Sequence, residues 1–282
     1  MSPINQLILL LAASVTPALG FCGGHTHLDR RDEGEVPEFG YFGTKGPLLW
    51  NKLATANAVC STGTRQSPIN MVPEVFKLID AKDIKLTLPG NVDDAMFENL
   101  GTTVEVVMKD KKGTITLDKV DYTLKQFHFH HPSEHVDNGV SLPMEMHMVF
   151  TTEEAQVAVI GVYVDIIDTS SIMRLARRAR PSKMLETIFA SVEDIAKADS
   201  ETELPKLNMS ELSKLLLAGK FQSYPGSLTT PPCSEGVSWL VSTQKLMLSQ
   251  KTFVKVRDVI GFNSRYPQNT PGEANLLSMV TA

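Results

Sequence analysis

Between residues 126 and 130 the chain reads Gln-Phe-His-Phe-His, a strict alternation of polar and aromatic side chains. Side chains at i and i+2 of a strand share one face. The pattern predicts a strand with Gln126, His128 and His130 on one face, and Phe127 and Phe129 in a core behind. A third histidine, His147, lies in the next strand-like run, Met144-Glu145-Met146-His147-Met148. The stretch Pro132 to Pro143 is long enough to connect antiparallel neighbours. Three imidazoles then converge from two adjacent strands. Three neutral nitrogen ligands with one open position describe a catalytic zinc site; a structural site would be closed by a fourth protein ligand. Five of the seven histidines fall within residues 128–147, which weakens the reading of each as an unrelated core or surface residue.

The neighbours of these histidines fit supporting roles. A metal-bound imidazole usually donates its other N–H to an oxygen. Gln126 and Glu145 are each two residues from a ligand on the same strand face, so either can accept that proton. Glu134 and His135 follow the first strand, in position to feed hydrogen bonds into the site. His135 reads as a buried imidazole held by carboxylates.

Other strand-like runs are Lys85 to Leu88, Thr102 to Met108, Gly113 to Leu117, Tyr122 to His130, Met144 to Thr151, Gln156 to Val164 and Gly236 to Ser242. They are rich in Val, Thr, Ile and Phe and bounded by turn residues. Helical periodicity appears in Met184 to Ile195 and in Met247 to Ile260. Hydrophobic residues are 42% and charged residues 21%, an ordinary globular balance. No linker or repeat divides the chain after its first residues. The expected fold is a mainly β (α+β) single domain around a large, mostly antiparallel twisted sheet with a few short peripheral helices. A net charge of −5 with no dominant basic block argues against nucleic acid as a partner. The arginine-rich run Arg174 to Arg180 reads as a solvated loop or helix face.

The N-terminus reads as an address. Leu7 to Val15 is a short apolar core, and Ala18 and Gly20 are the small residues before a cut at Phe21. No Lys or Arg precedes that core. A spanning helix needs about 20 apolar residues, and Pro17 with Gly20 ends this one early. Residues 1–20 are therefore expected to be a secretory signal. Residues 21–37 form a flexible leader carrying His25, His27 and the dibasic pair Arg30-Arg31, a possible processing point. Residues 38–282 form the domain. The mature protein is expected to be secreted, with no membrane span.

A cupin barrel also carries His-x-His, then Glu and a later His. Its first motif wants glycines where this chain has Tyr122 and Ser141, so the pattern fails. The longer motifs decide the matter. Gln126-Phe127-His128-Phe129-His130, Pro132-Ser133-Glu134-His135 and Met144-Glu145-Met146-His147 together resemble the α-class carbonic anhydrases. Gln66-Ser67-Pro68-Ile69-Asn70 is similar to the early Q-S-P-I motif of that family. Phe39-Gly40-Tyr41 resembles its W-G-Y start, with Phe in place of Trp. Tyr224 to Cys233 resembles its Y-P-G-S-L-T-T-P-P-C loop, and Arg265 to Gln268 its R-P-x-Q region.

The resemblance implies one domain with a conical zinc cavity and reversible hydration of CO2 to bicarbonate and a proton by attack of zinc hydroxide. Zinc on three neutral imidazoles lowers the pKa of its water to about 7. Thr229 would accept the hydroxide hydrogen and donate its own to Glu134, which must be ionised because only then is it purely an acceptor. Val149, Val159, Leu228 and Trp239 would form the apolar wall where CO2 rests, and Thr230 would position bicarbonate. The substrate is a small molecule, and the cofactor is Zn2+. The alternative is a catalytically inactive relative serving as a binding or storage protein. The resemblance also implies a disulfide between Cys60 and Cys233, which leaves Cys22 either removed with the leader or able to link chains. Asn208-Met209-Ser210 is the one usable glycosylation sequon, and Ser210 could cap a short helix through Leu217. The segment Asn99-Leu100-Gly101-Thr102 aligns with the family's N-x-G-H, so Thr102 stands where faster members carry a proton-shuttling histidine. His131, the nearest substitute in sequence, is aimed away from the zinc face by strand alternation.

Overall fold

The structure, a computed structural model, describes residues 39–109, 113–167 and 180–280. The expected signal and leader lie outside the described residues, with Cys22, His25, His27 and Arg30-Arg31. So does the arginine-rich run apart from Arg180.

Twelve strands of the described residues form one sheet. In chain order they are β1 (Lys77–Asp80), β2 (Lys85–Thr87), β3 (Ala95–Asn99), β4 (Val104–Met108), β5 (Thr114–Leu117), β6 (Val120–His130), β7 (Met144–Thr151), β8 (Val157–Ile167), β9 (Ser200–Glu203), β10 (Lys220–Ser227), β11 (Glu235–Ser242) and β12 (Leu246–Ser249). Across the sheet the order is β9-β3-β4-β6-β7-β8-β11-β10-β1; β12 lies beside β8, and β5 joins β6 to β2. Pairing is parallel only for β8 with β11 and β12 and antiparallel elsewhere in the sheet. The mainly β, mostly antiparallel expectation is met.

Strand alternation divides the long central strands as the sequence requires. Phe127, Phe129, Met144, Met146, Met148 and Phe150 enter one large apolar core. Gln126, His128, His130, Glu145, His147 and Val149 alternate with them and take the other face. The register of β6 and β7 breaks once: Gln126 faces Val149, but Leu124 faces Phe150, so Lys125 is skipped. This is a β-bulge. Beyond it the core residues of β6 are Tyr122 and Leu124, on even positions, whereas Phe127 and Phe129 are odd.

Three helices cover the apolar face: α1 (Lys183–Phe189), α2 (Ser210–Leu217) and α3 (Gln250–Ile260). Met184, Leu185, Ile188 and Phe189 of α1, Leu212 and Leu216 of α2 and Val256 of α3 all join that core. The periodicity expected over Met184 to Ile195 is split: α1 stops at Phe189, and a short 3-10 turn, Val192–Ile195, completes the buried stripe. The run Met247 to Ile260 also divides. Its first residues extend β12, and Ser249, itself in extended conformation, caps α3 by accepting from Thr252 N at 3.3 Å. α2 has its expected extent but not its expected cap. Asn208 Oδ1 accepts from Ser210 N at 2.9 Å, while Ser210 is the first helical residue.

A separate cluster of Phe39, Trp50, Cys60 and Cys233 holds the N-terminal segment. The expected Cys60–Cys233 disulfide is present, with Cα atoms 5.1 Å apart. Among the described residues no helix is long and apolar enough to cross a membrane.

Candidate metal centre

His128 and His147 are direct cross-strand partners, and Glu145 faces His130. The three histidines expected to converge do so. Their ring centroids lie 4.6 to 5.3 Å apart, and one nitrogen of each falls within 4.8 Å of the others. All three are buried.

Each ring is held from behind. His128 Nδ1 donates to Gln126 Oε1 at 2.9 Å. His130 Nδ1 donates to the backbone oxygen of Asn263 at 2.8 Å. His147 Nε2 lies 3.0 Å from Glu145 Oε1. A rear nitrogen that carries the proton leaves the forward one with its lone pair: Nε2 of His128 and His130, and Nδ1 of His147. The forward nitrogens His130 Nε2 and His147 Nδ1 are buried without a hydrogen-bond partner, and His147 Nε2 approaches Glu145 Oε1 without completing a well-aligned hydrogen bond. Burial, reinforced by the neighbouring histidines, pushes His128 well below the ordinary imidazole value. Burial also lowers His130, against the pull of Glu134. Three buried imidazoles with converging nitrogens fit a zinc ion, and among the described residues no fourth protein ligand closes the histidine set.

Glu145 serves two rings. Burial alone would raise its pKa, but attraction to His135 and His147 overrides that and holds it below the ordinary carboxylate range. It accepts from His135 Nδ1 at 2.7 Å and, through its other oxygen, from His135 N at 2.8 Å. His135 Nε2 then meets the Tyr224 hydroxyl at 2.7 Å, which meets Ser67 Oγ at 2.8 Å. The expectation that carboxylates hold His135 is thus corrected: its partners are one carboxylate and one phenol. Both ring nitrogens are occupied, so the grouping of His135, Glu145 and His147 is a hydrogen-bond network and not a second metal site.

Glu134 Oε1 accepts from Arg265 N at 2.8 Å. Its Oε2 reaches to 3.5 Å from His130 Nε2 and 3.9 Å from His147 Nδ1. Glu134 Oε2, Thr229 Oγ1 and Thr230 Oγ1 are all buried without hydrogen-bond partners. The expected Thr229–Glu134 hydrogen bond is therefore not formed, although both ends are available for it. Val149, Val159, Leu228 and Trp239 pack in one apolar cluster on the histidine side of the sheet, with the Trp239 ring 4.8 Å from that of His147. Trp239 Nε1 donates to Ser227 O at 2.9 Å, which ties the loop carrying Leu228, Thr229 and Thr230 to that wall.

Thr102 is half-buried, and its carbonyl accepts from Asn263 Nδ2 at 3.1 Å. His131 turns away from the centre, with Nδ1 on Gly261 O at 2.8 Å and its ring 5.5 Å from that of Phe253. Asn263 and Arg265 escaped the sequence reading. Their contacts to His130 and Glu134 are made by the backbone, through Asn263 O and Arg265 N, which carry no side-chain signature. Only the resemblance around Arg265 to Gln268 pointed to that segment.

Comparison with known proteins gives a consistent result. The family profile described as eukaryotic-type carbonic anhydrase matches residues 45–274. A carbonic anhydrase of Neisseria gonorrhoeae is 33% identical over 265 residues, covering 94% of this chain and 92% of the relative. The solved structure of a fungal α-carbonic anhydrase from Aspergillus oryzae superposes with a TM-score of 0.79 at 35% identity, covering 86% of this chain and 98% of that one. A more distant relative, dioscorin dioA3 of Dioscorea japonica, is 28% identical over 232 residues, covering 80% of this chain and 79% of the relative.

Proposed function

The chain belongs to the eukaryotic-type (α) carbonic anhydrase family, and from that premise we propose how its own residues carry out the hydration of CO2. Reversible hydration of CO2 is its reaction. His128 and His130, through Nε2, and His147, through Nδ1, would hold zinc. The observation that carries this is the convergence of three buried imidazoles, two with rear nitrogens hydrogen-bonded to Gln126 and Asn263 and the third with its rear nitrogen 3.0 Å from Glu145 Oε1. Zinc bound there would supply the nucleophile for CO2 at neutral pH, because coordination to zinc lowers the pKa of water to about 7.

Thr229 and Glu134 aim that nucleophile. Thr229 Oγ1 would accept a hydrogen bond from it and donate its own to Glu134 Oε2, the carboxylate oxygen that has no hydrogen-bond partner. The hydroxyl has one proton to give, and an ionised Glu134 fixes where it goes. Val149, Val159, Leu228 and Trp239 hold CO2 against an uncharged surface and keep bulk water from its carbon. Thr230 positions bicarbonate before it leaves.

Residues 1–20 direct the chain to the secretory route, residues 21–37 are a leader open to cleavage at Arg30-Arg31, and residues 38–282 are the enzyme. The Cys60–Cys233 disulfide supports that oxidising route. Asn208 is exposed and carries the glycan. Cys22, where it is retained, is free to link chains.

Zinc content measured together with CO2 hydration tests the assignment. His147→Ala should lose both. Thr229→Ala should keep zinc and slow hydration about 10²-fold, in the range for a positioned hydrogen-bond group. Full zinc and full activity in His147→Ala would remove the assignment. A zinc-loaded wild type without hydration would leave the binding or storage role.

A further inference from the structure

Arg265 is 1% exposed, and its guanidinium sits among the residues that precede β1. Nη1 donates to Ser67 O at 2.7 Å. Nη2 donates to Gln66 Oε1 at 3.0 Å and to Cys60 O at 3.3 Å. The guanidinium carbon lies 5.6 Å from the centroid of the Trp50 ring, within cation–π range. Nε alone lacks a partner. A buried charge is costly unless it is paired or hydrogen-bonded, and here three oxygens and a ring face share it. Burial lowers its pKa to about 10, so it stays charged at neutral pH.

The main chain of the same residue points the other way. Arg265 N donates to Glu134 Oε1 at 2.8 Å. Two residues earlier, Asn263 O receives the proton of His130 Nδ1 at 2.8 Å. This short segment therefore holds one ring of the metal centre and the carboxylate beside it. Its lateral position is set by where the guanidinium is anchored. A fork of donors in fixed geometry can bridge Ser67, Gln66 and Cys60 at once; a lysine ammonium is a single point on a flexible stem.

We propose that Arg265 is a positioning residue for CO2 hydration: its guanidinium fixes the backbone N–H that holds Glu134 Oε1, which leaves Oε2 directed to Thr229. The proposal rests on the role given above to Glu134.

A double-mutant cycle separates positioning from plain structural support. Arg265→Lys should keep its zinc stoichiometry and its disulfide, and should lower kcat/KM about tenfold, a loss in keeping with a small misplacement of a catalytic group. A crystal structure of zinc-free Arg265→Lys should show Glu134 Oε1 out of hydrogen-bond reach of the residue-265 nitrogen. Added to Glu134→Gln, the same change should cost less than about twofold, because the group it positions is already impaired. An equal loss in both backgrounds overturns the proposal and leaves the role of Glu134 intact. Full activity in Glu134→Gln alone overturns that role instead. Should Arg265→Lys not fold, Gln66→Leu removes one anchor and keeps the guanidinium. It should cost about threefold with the same dependence on Glu134, whereas equal costs in the two backgrounds again overturn the proposal.

Discussion

Gly161 faces His147 across β7 and β8, and a Cβ built on it would lie 2.8 Å from Glu145 Oε1. The missing side chain is what makes room for the carboxylate. That oxygen cannot swing aside without cost, since His135 Nδ1 and His147 Nε2 lie 2.7 and 3.0 Å from it. Gly161→Ala should fold and bind zinc about 10- to 100-fold more weakly, as when an outer hydrogen-bond partner of a ligand is lost. Competition against a chelator reads this directly. An unchanged zinc affinity would show that Glu145 does not orient His147.

Cys60 and Cys233 are 173 residues apart. Closing so long a loop is worth about 5 kcal/mol in the chain-entropy model, less where the reduced chain stays compact. Cys60 O accepts from Arg265, and Cys233 O accepts from Gln66 Nε2 at 3.0 Å. Cys233 also closes the loop that carries Thr229. Reduction, or Cys60→Ser, should lower both the melting temperature and kcat/KM. A reduced enzyme with native activity would separate the bond from the site.

Thr102 sets the expected limit on turnover. Each cycle must release a proton to bulk water, and a threonine hydroxyl does not titrate near neutral pH, whereas an imidazole near 6.5 does. Thr102→His should raise kcat and leave kcat/KM nearly unchanged. High concentrations of an imidazole buffer should do the same for the wild type. If neither raises kcat in weak buffer, another group moves the proton.

Burial and neighbouring histidines hold His128 and His130 below the ordinary imidazole value. In the unfolded chain both take up protons near pH 6.5. Between that pH and the lower folded values, the unfolded state binds more protons, so stability falls as pH falls. Their contribution is fully present above about pH 6.5 and is lost as pH drops through the depressed values. The urea midpoint of the zinc-free protein should decline on acidification across this window, and His128→Gln should flatten the decline. A slope indifferent to that substitution would assign the pH dependence elsewhere.

The centre of the sheet was legible because two periodicities coincide there. Phe127 and Phe129 need burial, His128 and His130 need the opposite face, and only a strand meets both demands. Strand β7 was bounded to the residue, Met144–Thr151. Strand β10 was not foreseen, since Pro225 and Gly226 within it are turn signals. The proline is accommodated because β1 pairs only with Lys220–Ser223, so Pro225 has a neighbour on one side alone. The partners of the site were the least legible part. His130 rests on a carbonyl 133 residues away in sequence, and Glu134 on an amide 131 residues away. Every residue has a carbonyl and nearly every one an amide, so nothing in the composition of residues 263–265 marks them as part of the centre.

The skipped residue in β6 carries a further consequence. Alternation along a strand is a reading frame of two, and Lys125 is where that frame slips. One continuous strand can therefore present Tyr122 and Leu124, then Phe127 and Phe129, to the same core while its histidines stay on the opposite side. A saturation map of tolerated substitutions along this strand should invert its parity at position 125: even positions intolerant of polarity before it, odd positions after it. A one-residue deletion there would bring Tyr122, Leu124, Phe127 and Phe129 into one unbroken alternation with the histidines opposite, so removing Lys125 should be tolerated better than removing either of the nearby core residues, Leu124 or Phe127.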